Sequence, residues 1–140
     1  MIRRHAREAY PHECCGAMIG RTDDDGVSVI EVLALPNVTA EGPRRRFRVS
    51  ADDYRRAEER AAAIGAELLG FYHSHPDHPA RPSEYDLDHA WPNFSYVIVA
   101  VDNGDPRDMR SWRLRPDRSG FEEEQIARAQ EVRRNRSFPL

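Results

Sequence analysis

The sequence contains no lysine: all 21 of its basic residues are arginine. Codon bias in a GC-rich gene accounts for this without any functional meaning. Set against 24 acidic residues, the arginines leave a formal charge of −3. That balance argues against a general nucleic-acid binder, because neutralising phosphates requires a clustered excess of basic charge. No stretch approaches the roughly 18 consecutive apolar residues of a membrane span. The opening residues, Met1-Ile2-Arg3-Arg4-His5-Ala6-Arg7-Glu8, lack the apolar centre of a secretory signal, so the expected compartment is the cytoplasm. Cysteine is scarce. The two present, Cys14 and Cys15, are neighbours, and neighbouring cysteines cannot staple a fold. Nor do they have the spacing of a Cys-x-x-Cys redox or zinc pair, and they read instead as small apolar residues on either side of a strand.

Several site motifs are missing as well. His12-Glu13-Cys14-Cys15-Gly16 begins like His-Glu-x-x-His but ends on glycine. A zinc deaminase would need Pro-Cys-x-x-Cys after its His-x-Glu. No Gly-rich phosphate loop occurs. Asp23-Asp24-Asp25-Gly26 lacks the alternating ligand spacing and distal glutamate of a calcium loop, and reads as a solvated hairpin turn.

What is there suits one domain of mixed α/β class, large enough at 140 residues for a single core. Its centre is expected at about 10–115, with 116–140 peripheral. Ile2 to Tyr10 has helical composition and stops at Pro11. Glu13 to Gly20 and Val27 to Leu35 read as paired strands. Thr39 to Arg48 is loop-like, with Arg44-Arg45-Arg46 at its centre, and Phe47-Arg48-Val49 is a candidate short strand. Ser50 is a suitable N-cap for a helix over Ala51 to Ile64, which Gly65 ends. Glu67 to His73 is the next strand and Ser83 to Ala90 a short helix. The continuous apolar run Ser95 to Val101 is a buried strand, and Met109 to Leu114 is its partner. Trp91, Pro92 and Phe94 read as core, and Phe121 to Arg134 is ambiguous between strand and helix, its Glu and Arg content favouring helix. The order implies one sheet, antiparallel where connections are short, flanked by helices.

The chemistry concentrates between Gly70 and Asp86. If Leu68 to Tyr72 leads a strand outward, His73 and His75, two residues apart, project from one face. A Pro-rich loop through Pro76, Pro79 and Pro82 then reaches Ser83-Glu84-Tyr85-Asp86, where a helix can begin. Two imidazoles and one carboxylate are three protein ligands, the usual number for a catalytic zinc that keeps a fourth position for water. Zinc lowers the pKa of such a water to about 7. Duller accounts exist for each residue. A lone histidine is more often a partly buried structural one, and Ser83 with Asp86 three residues on satisfies a capping box without any catalysis.

His-Ser-His, seven residues, Ser, two residues, Asp resembles the metal-binding motif of the JAMM (MPN+) metalloproteases. That family also uses an upstream glutamate, and Glu13 occupies the matching place. Tyr10-Pro11-His12-Glu13-Cys14-Cys15-Gly16 is similar to the form found in the small prokaryotic branch. The resemblance runs from about Tyr10 to Leu114 and implies a single MPN/JAMM, cytidine-deaminase-like domain. It implies His73, His75 and Asp86 as ligands of one zinc. It further implies Glu13 as the general base and later acid, and Ser83 as donor to the oxyanion. Ser74, facing the other way, is expected to be structural, and His12, His78 and His89 to be bystanders.

For function, the resemblance implies hydrolysis of a peptide or isopeptide bond beyond the C-terminal Gly-Gly of a ubiquitin-like protein. Small relatives of this type are associated with ubiquitin-like sulfur carriers, and a carrier C-terminus is the favoured partner. Glycines suit it, since only a slim extended backbone fits a narrow groove beside a metal. Two alternatives stay open: a metal-free MPN scaffold or binding module, and a zinc hydrolase of a small amide.

Overall fold

The computed structural model describes residues 1–24, 26–37 and 49–127. The first helix, α1 (Ile2–Ala9), carries Ile2, Ala6 and Ala9 at helical spacing. Ala6 is fully buried, and its two neighbours pack partly buried around it. Strands β1 (Cys15–Asp23) and β2 (Gly26–Leu35) form the expected hairpin, with Gly26 at φ +119° closing the turn. Helix α2 (Ala51–Ala63) starts where Ser50 Oγ accepts the Asp53 N–H at 3.1 Å and stops before Gly65, at φ +68°.

Next comes β3 (Glu67–Pro76), which continues past His73 to include both histidines. The short α3 (Glu84–His89), β4 (Ser95–Asp102) and β5 (Asp105–Leu114) follow, and β6 (Phe121–Glu124) is the last described strand. The six strands form one sheet in the order β2-β1-β3-β4-β5-β6. Every pairing is antiparallel except β3 with β4, whose connection crosses over through α3. The mixed α/β expectation, mostly antiparallel with flanking helices, is the observed architecture.

The two faces of the sheet carry separate cores. One gathers Met18, Tyr72, Val97, Val99 and Val101 under α1; the other gathers Ala17, Phe71, Tyr96 and Leu114 with Ala57 of α2. Cys14 falls in the first and Cys15 in the second, as their adjacency implies. In the centre, β4 is buried on both sides, which explains its unbroken apolar run. A register shift sets Met18 opposite Gly70 but Ile19 opposite Leu68, so Leu69 is an extra residue in β3. Leu68 and Phe71 therefore share a face although they are three apart. Simple alternation resumes only after Gly70, and from there Phe71, His73 and His75 point the same way.

Two expectations are corrected. Phe121 to Glu124 is a strand of the sheet, not the start of a helix. Phe121 packs edge-on against Tyr96 at 6.0 Å between ring centres, while Ser111 and Arg115 bond to Glu124 and Glu122 across the pair. Cross-strand partners thus do for these glutamates what i,i+4 partners would have done on a helix. Trp91 is 42% exposed rather than core, and Pro92 is exposed beside it. Phe94 is half-buried. Trp91 is the outer ring of an aromatic group, edge-on to Tyr54 at 4.6 Å. Arg44, Arg45, Arg46, Phe47 and Arg48, and the tail from residue 128, lie outside the described residues. Val49 is described and is not in a strand.

Gly70, at φ +156°, passes so close to β4 that a Cβ there would overlap the Ser95 carbonyl oxygen. Because that neighbour is backbone in a paired strand, it cannot yield. Gly70→Ala should cost about 3 kcal/mol or more. Urea denaturation will show this as a lower midpoint; an unchanged midpoint would refute the close approach.

Candidate metal centre

Strand β3 delivers the two imidazoles together. His73 is 1% exposed, and the His75 side chain 11%. Their Nε2 atoms lie 3.0 Å apart. Asp86 Oδ2 lies 3.3 Å from each of them. A tetrahedral zinc with bonds of about 2.0–2.1 Å has ligand atoms roughly 3.3 Å apart. The three donors therefore already form one face of such a tetrahedron, and the residues present fit zinc.

Two of the donors, His75 and Asp86, are oriented from behind. His75 Nδ1 lies 2.8 Å from the Pro79 carbonyl oxygen. That carbonyl can only accept, so Nδ1 carries the proton and Nε2 keeps its lone pair for the centre. Asp86 is held by the capping box of α3: Ser83 Oγ accepts the Asp86 N–H at 3.0 Å, and Asp86 Oδ2 accepts the Ser83 N–H at 2.9 Å. Burial keeps His73 neutral by pulling its pKa below the ordinary value. Burial pulls on His75 in the same direction, but its bonds to Asp86 and the Pro79 carbonyl override this and raise it. At Asp86 burial works upward, yet the two imidazoles outweigh it and hold the carboxyl well below the usual range.

Glu13 joins them. It is 6% exposed at the mouth of β1, and it offers a carboxylate oxygen within 4.8 Å of ligand nitrogens from both His73 and His75. The adjacent thiols take no such part. Burial pushes Cys14 up to about 11 and Cys15 up to about 12, so neither is a thiolate at neutral pH. His89 is exposed and stacks on Tyr85 at 4.0 Å. Among the sequence candidates, then, Glu13, His73, His75 and Asp86 converge, with Ser83 at the adjoining helix start.

A model of prokaryotic homologs of the JAB domain matches residues 1–115. The chain belongs to that family. Among curated relatives, the desampylase of Haloferax volcanii is 35% identical over 106 residues, which is 72% of this chain and 74% of that protein. A probable TtuB-protein conjugate cleaving protease of Thermus thermophilus is 33% identical over 100 residues, covering 71% of this chain and 64% of that one. The solution structure of a Salinibacter ruber protein is 47% identical, with a TM-score of 0.71 across 91% of this chain and 84% of that one. Membership agrees with the small prokaryotic JAMM branch that the Glu13 and His73–Asp86 motifs resemble.

In this JAB domain, part of the support around the centre carries no sequence signal of its own. The Pro79 carbonyl is backbone, which any residue supplies. Asp77 sits at φ +56°, where its Oδ2 accepts from Tyr10 Oη and its Oδ1 from the Asn103 N–H, both at 2.7 Å. That carboxylate ties the segment leading to Glu13 to the loop after His75 and to the β4–β5 turn. A tolerance of aspartate for positive φ was the only available hint. A groove of about 1110 Å3 lined by Tyr54, Asp88, Trp91, Phe94 and Arg118 runs beside α3, and none of the converging donors lines it. No helix among the described residues is long and apolar enough to cross a membrane.

Purified protein should bind close to one zinc per chain, and His75→Ala should reduce this at least tenfold, as read by elemental analysis. Glu13→Ala should keep the metal, since three donors remain. Because the His75 pKa lies above its ordinary 6.5 in the metal-free protein, protons compete with metal from that side downward. Zinc affinity should fall steadily between about pH 7 and pH 5. Undiminished binding at pH 5 would exclude imidazole ligation.

Proposed function

We propose that this chain is a zinc-dependent peptidase of the cytoplasm. It hydrolyses the peptide or isopeptide bond beyond the C-terminal Gly-Gly of a ubiquitin-like or sulfur-carrier protein. The observation that carries this reading is the placement of Glu13 beside two imidazoles that, with Asp86, are spaced for zinc. A structural ion would need four closed ligands; three donors and a flanking carboxylate suit hydrolysis. The names of the Haloferax and Thermus relatives, one of them a conjugate-cleaving protease, support a protein-conjugate substrate.

When bound, zinc supplies Lewis acidity, lowering the pKa of a water and polarising the scissile carbonyl. The protein's own groups do the rest. Glu13 takes a proton from the attacking water and hands it to the leaving amine, so one carboxylate serves as base and then acid. Ser83 is exposed, and its lone pair is engaged by the Asp86 N–H. The cap fixes the oxygen and leaves the hydroxyl proton to donate to the carbonyl oxygen as charge develops there. Capping and catalysis are therefore compatible in one side chain. His73, His75 and Asp86 hold still throughout, His75 and Asp86 oriented by the contacts behind them.

Glu13→Gln should retain zinc yet lower kcat by about 10²–10⁴-fold. Two probes test it: a ubiquitin-like carrier whose Gly-Gly is extended by cysteine, and one joined through Gly-Gly to a lysine side chain. Cleavage of either by the wild-type protein and by neither with Glu13→Gln supports the reading. If only small amides are cut, the substrate is different. If nothing is cut with zinc bound, the binding-module reading replaces it.

Ser83→Ala should lower kcat by roughly 10²-fold and lower stability by about 1 kcal/mol through loss of the cap. Asp86 is untouched, so zinc should stay. An unchanged kcat in this variant, measured on the same probes, would reduce Ser83 to its capping role.

A further inference from the structure

Ser74 stands between the two imidazoles in sequence but on the opposite face of β3, with none of its surface exposed. The last regular pair of the β1–β3 ladder is Cys15 with His73. One step further, Cys14 and Ser74 would exchange two main-chain hydrogen bonds in an ordinary antiparallel pair. Only one is made in the usual way: Ser74 N–H donates to the Cys14 carbonyl at 3.1 Å. The other is replaced, because Cys14 N–H donates to the Ser74 hydroxyl oxygen at 2.9 Å. The residue before Cys14 is Glu13.

We propose that Ser74 is the positioning residue for Glu13: its hydroxyl takes the place of a strand carbonyl, so β1 departs from the ladder at Cys14 and sets the Glu13 carboxylate toward the imidazoles. The proposal rests on the reading of Glu13 as the group that moves the proton. Its physical force comes from the shared strand. Ser74 is rigidly joined to both histidine ligands, so a grip on Cys14 holds base and ligands in one frame. Asn37 Nδ2 holds the same backbone more weakly, donating to the Glu13 carbonyl at 3.4 Å. Without the hydroxyl, the regular ladder partner of the Cys14 N–H is the Ser74 carbonyl, and taking it would straighten β1 and carry Glu13 with it. A misplacement of about 1 Å is enough to cost about 10²-fold in rate.

The test compares Ser74→Ala, Ser74→Cys and Ser74→Thr with the wild type, using the Gly-Gly-cysteine carrier as the probe. Ser74→Ala and Ser74→Cys should keep one zinc per chain and an unchanged KM while kcat falls about 10²-fold. Ser74→Thr, which restores the hydroxyl, should recover most of that loss. In a Glu13→Gln background, Ser74→Ala should cost nothing further, since the group it positions is gone. Amide exchange supplies a readout independent of turnover: the Cys14 N–H should be protected in the wild type and exchange faster in Ser74→Ala. The cysteine variant keeps nearly the same volume with a weak acceptor, so it serves if alanine at this buried site prevents folding. A wild-type kcat in either variant overturns the proposal. So does zinc loss in either one, or an equal further loss in the Glu13→Gln background, because each marks a general structural role. Absence of turnover by the wild type is a different failure, and it brings down the reading of Glu13 itself.

Discussion

The site depends on β3 running past the open end of β1. Because Cys15 pairs with His73, the first residues ahead of β1 lie level with the imidazoles, and Glu13 arrives there although it is sixty residues away in the chain. On the other side, β4 pairs in parallel with the same stretch, His73 opposite Ile98 and His75 opposite Ala100. With strands on both edges at His73 and β4 beside His75, the histidine backbone has little freedom to drift. That rigidity is what a coordination site requires, since ligands displaced by a fraction of an ångström lose both affinity and selectivity.

The parallel pairing has a second consequence. Two parallel neighbours need a crossover, and here the crossover carries α3. A helix of six residues is too short to be stable alone. Its capping box is a large share of what defines its start. The same Oδ2 of Asp86 that completes this box also faces both imidazoles. Helix geometry and ligand geometry are therefore one constraint. A change at Asp86 is felt in both, and the stability and metal content of its variants must be read together.

Much of this was legible because it is local. Ser50 and Asp53, or Ser83 and Asp86, announce helix starts through contacts within a single turn, and His73 and His75 share a face through strand alternation alone. The apolar run of β4 showed its burial. Other features were illegible for an equally definite reason. The glutamates after Phe121 favour a helix as a composition, but their partners are Arg115 and Ser111 across a strand pair, which no local pattern contains. Trp91 reads as core by type; it lies instead at the end of an aromatic group where the chain has turned outward. The extra residue at Leu69 breaks the alternation that would have been used to count faces.

By itself, the sequence determined the donors and their order: which side chains can bind metal, at what spacing, and which hydroxyl and carboxylate begin the helix that follows. These are properties of residue type and near-neighbour geometry. Only the tertiary structure decided that Glu13 meets those donors, that the Pro79 carbonyl sets the tautomer of His75, and that Ser74 grips the backbone beside Glu13. All three depend on strand register or loop path. Those are settled by packing the whole sheet against α1 and α2, and no short stretch of residues contains them.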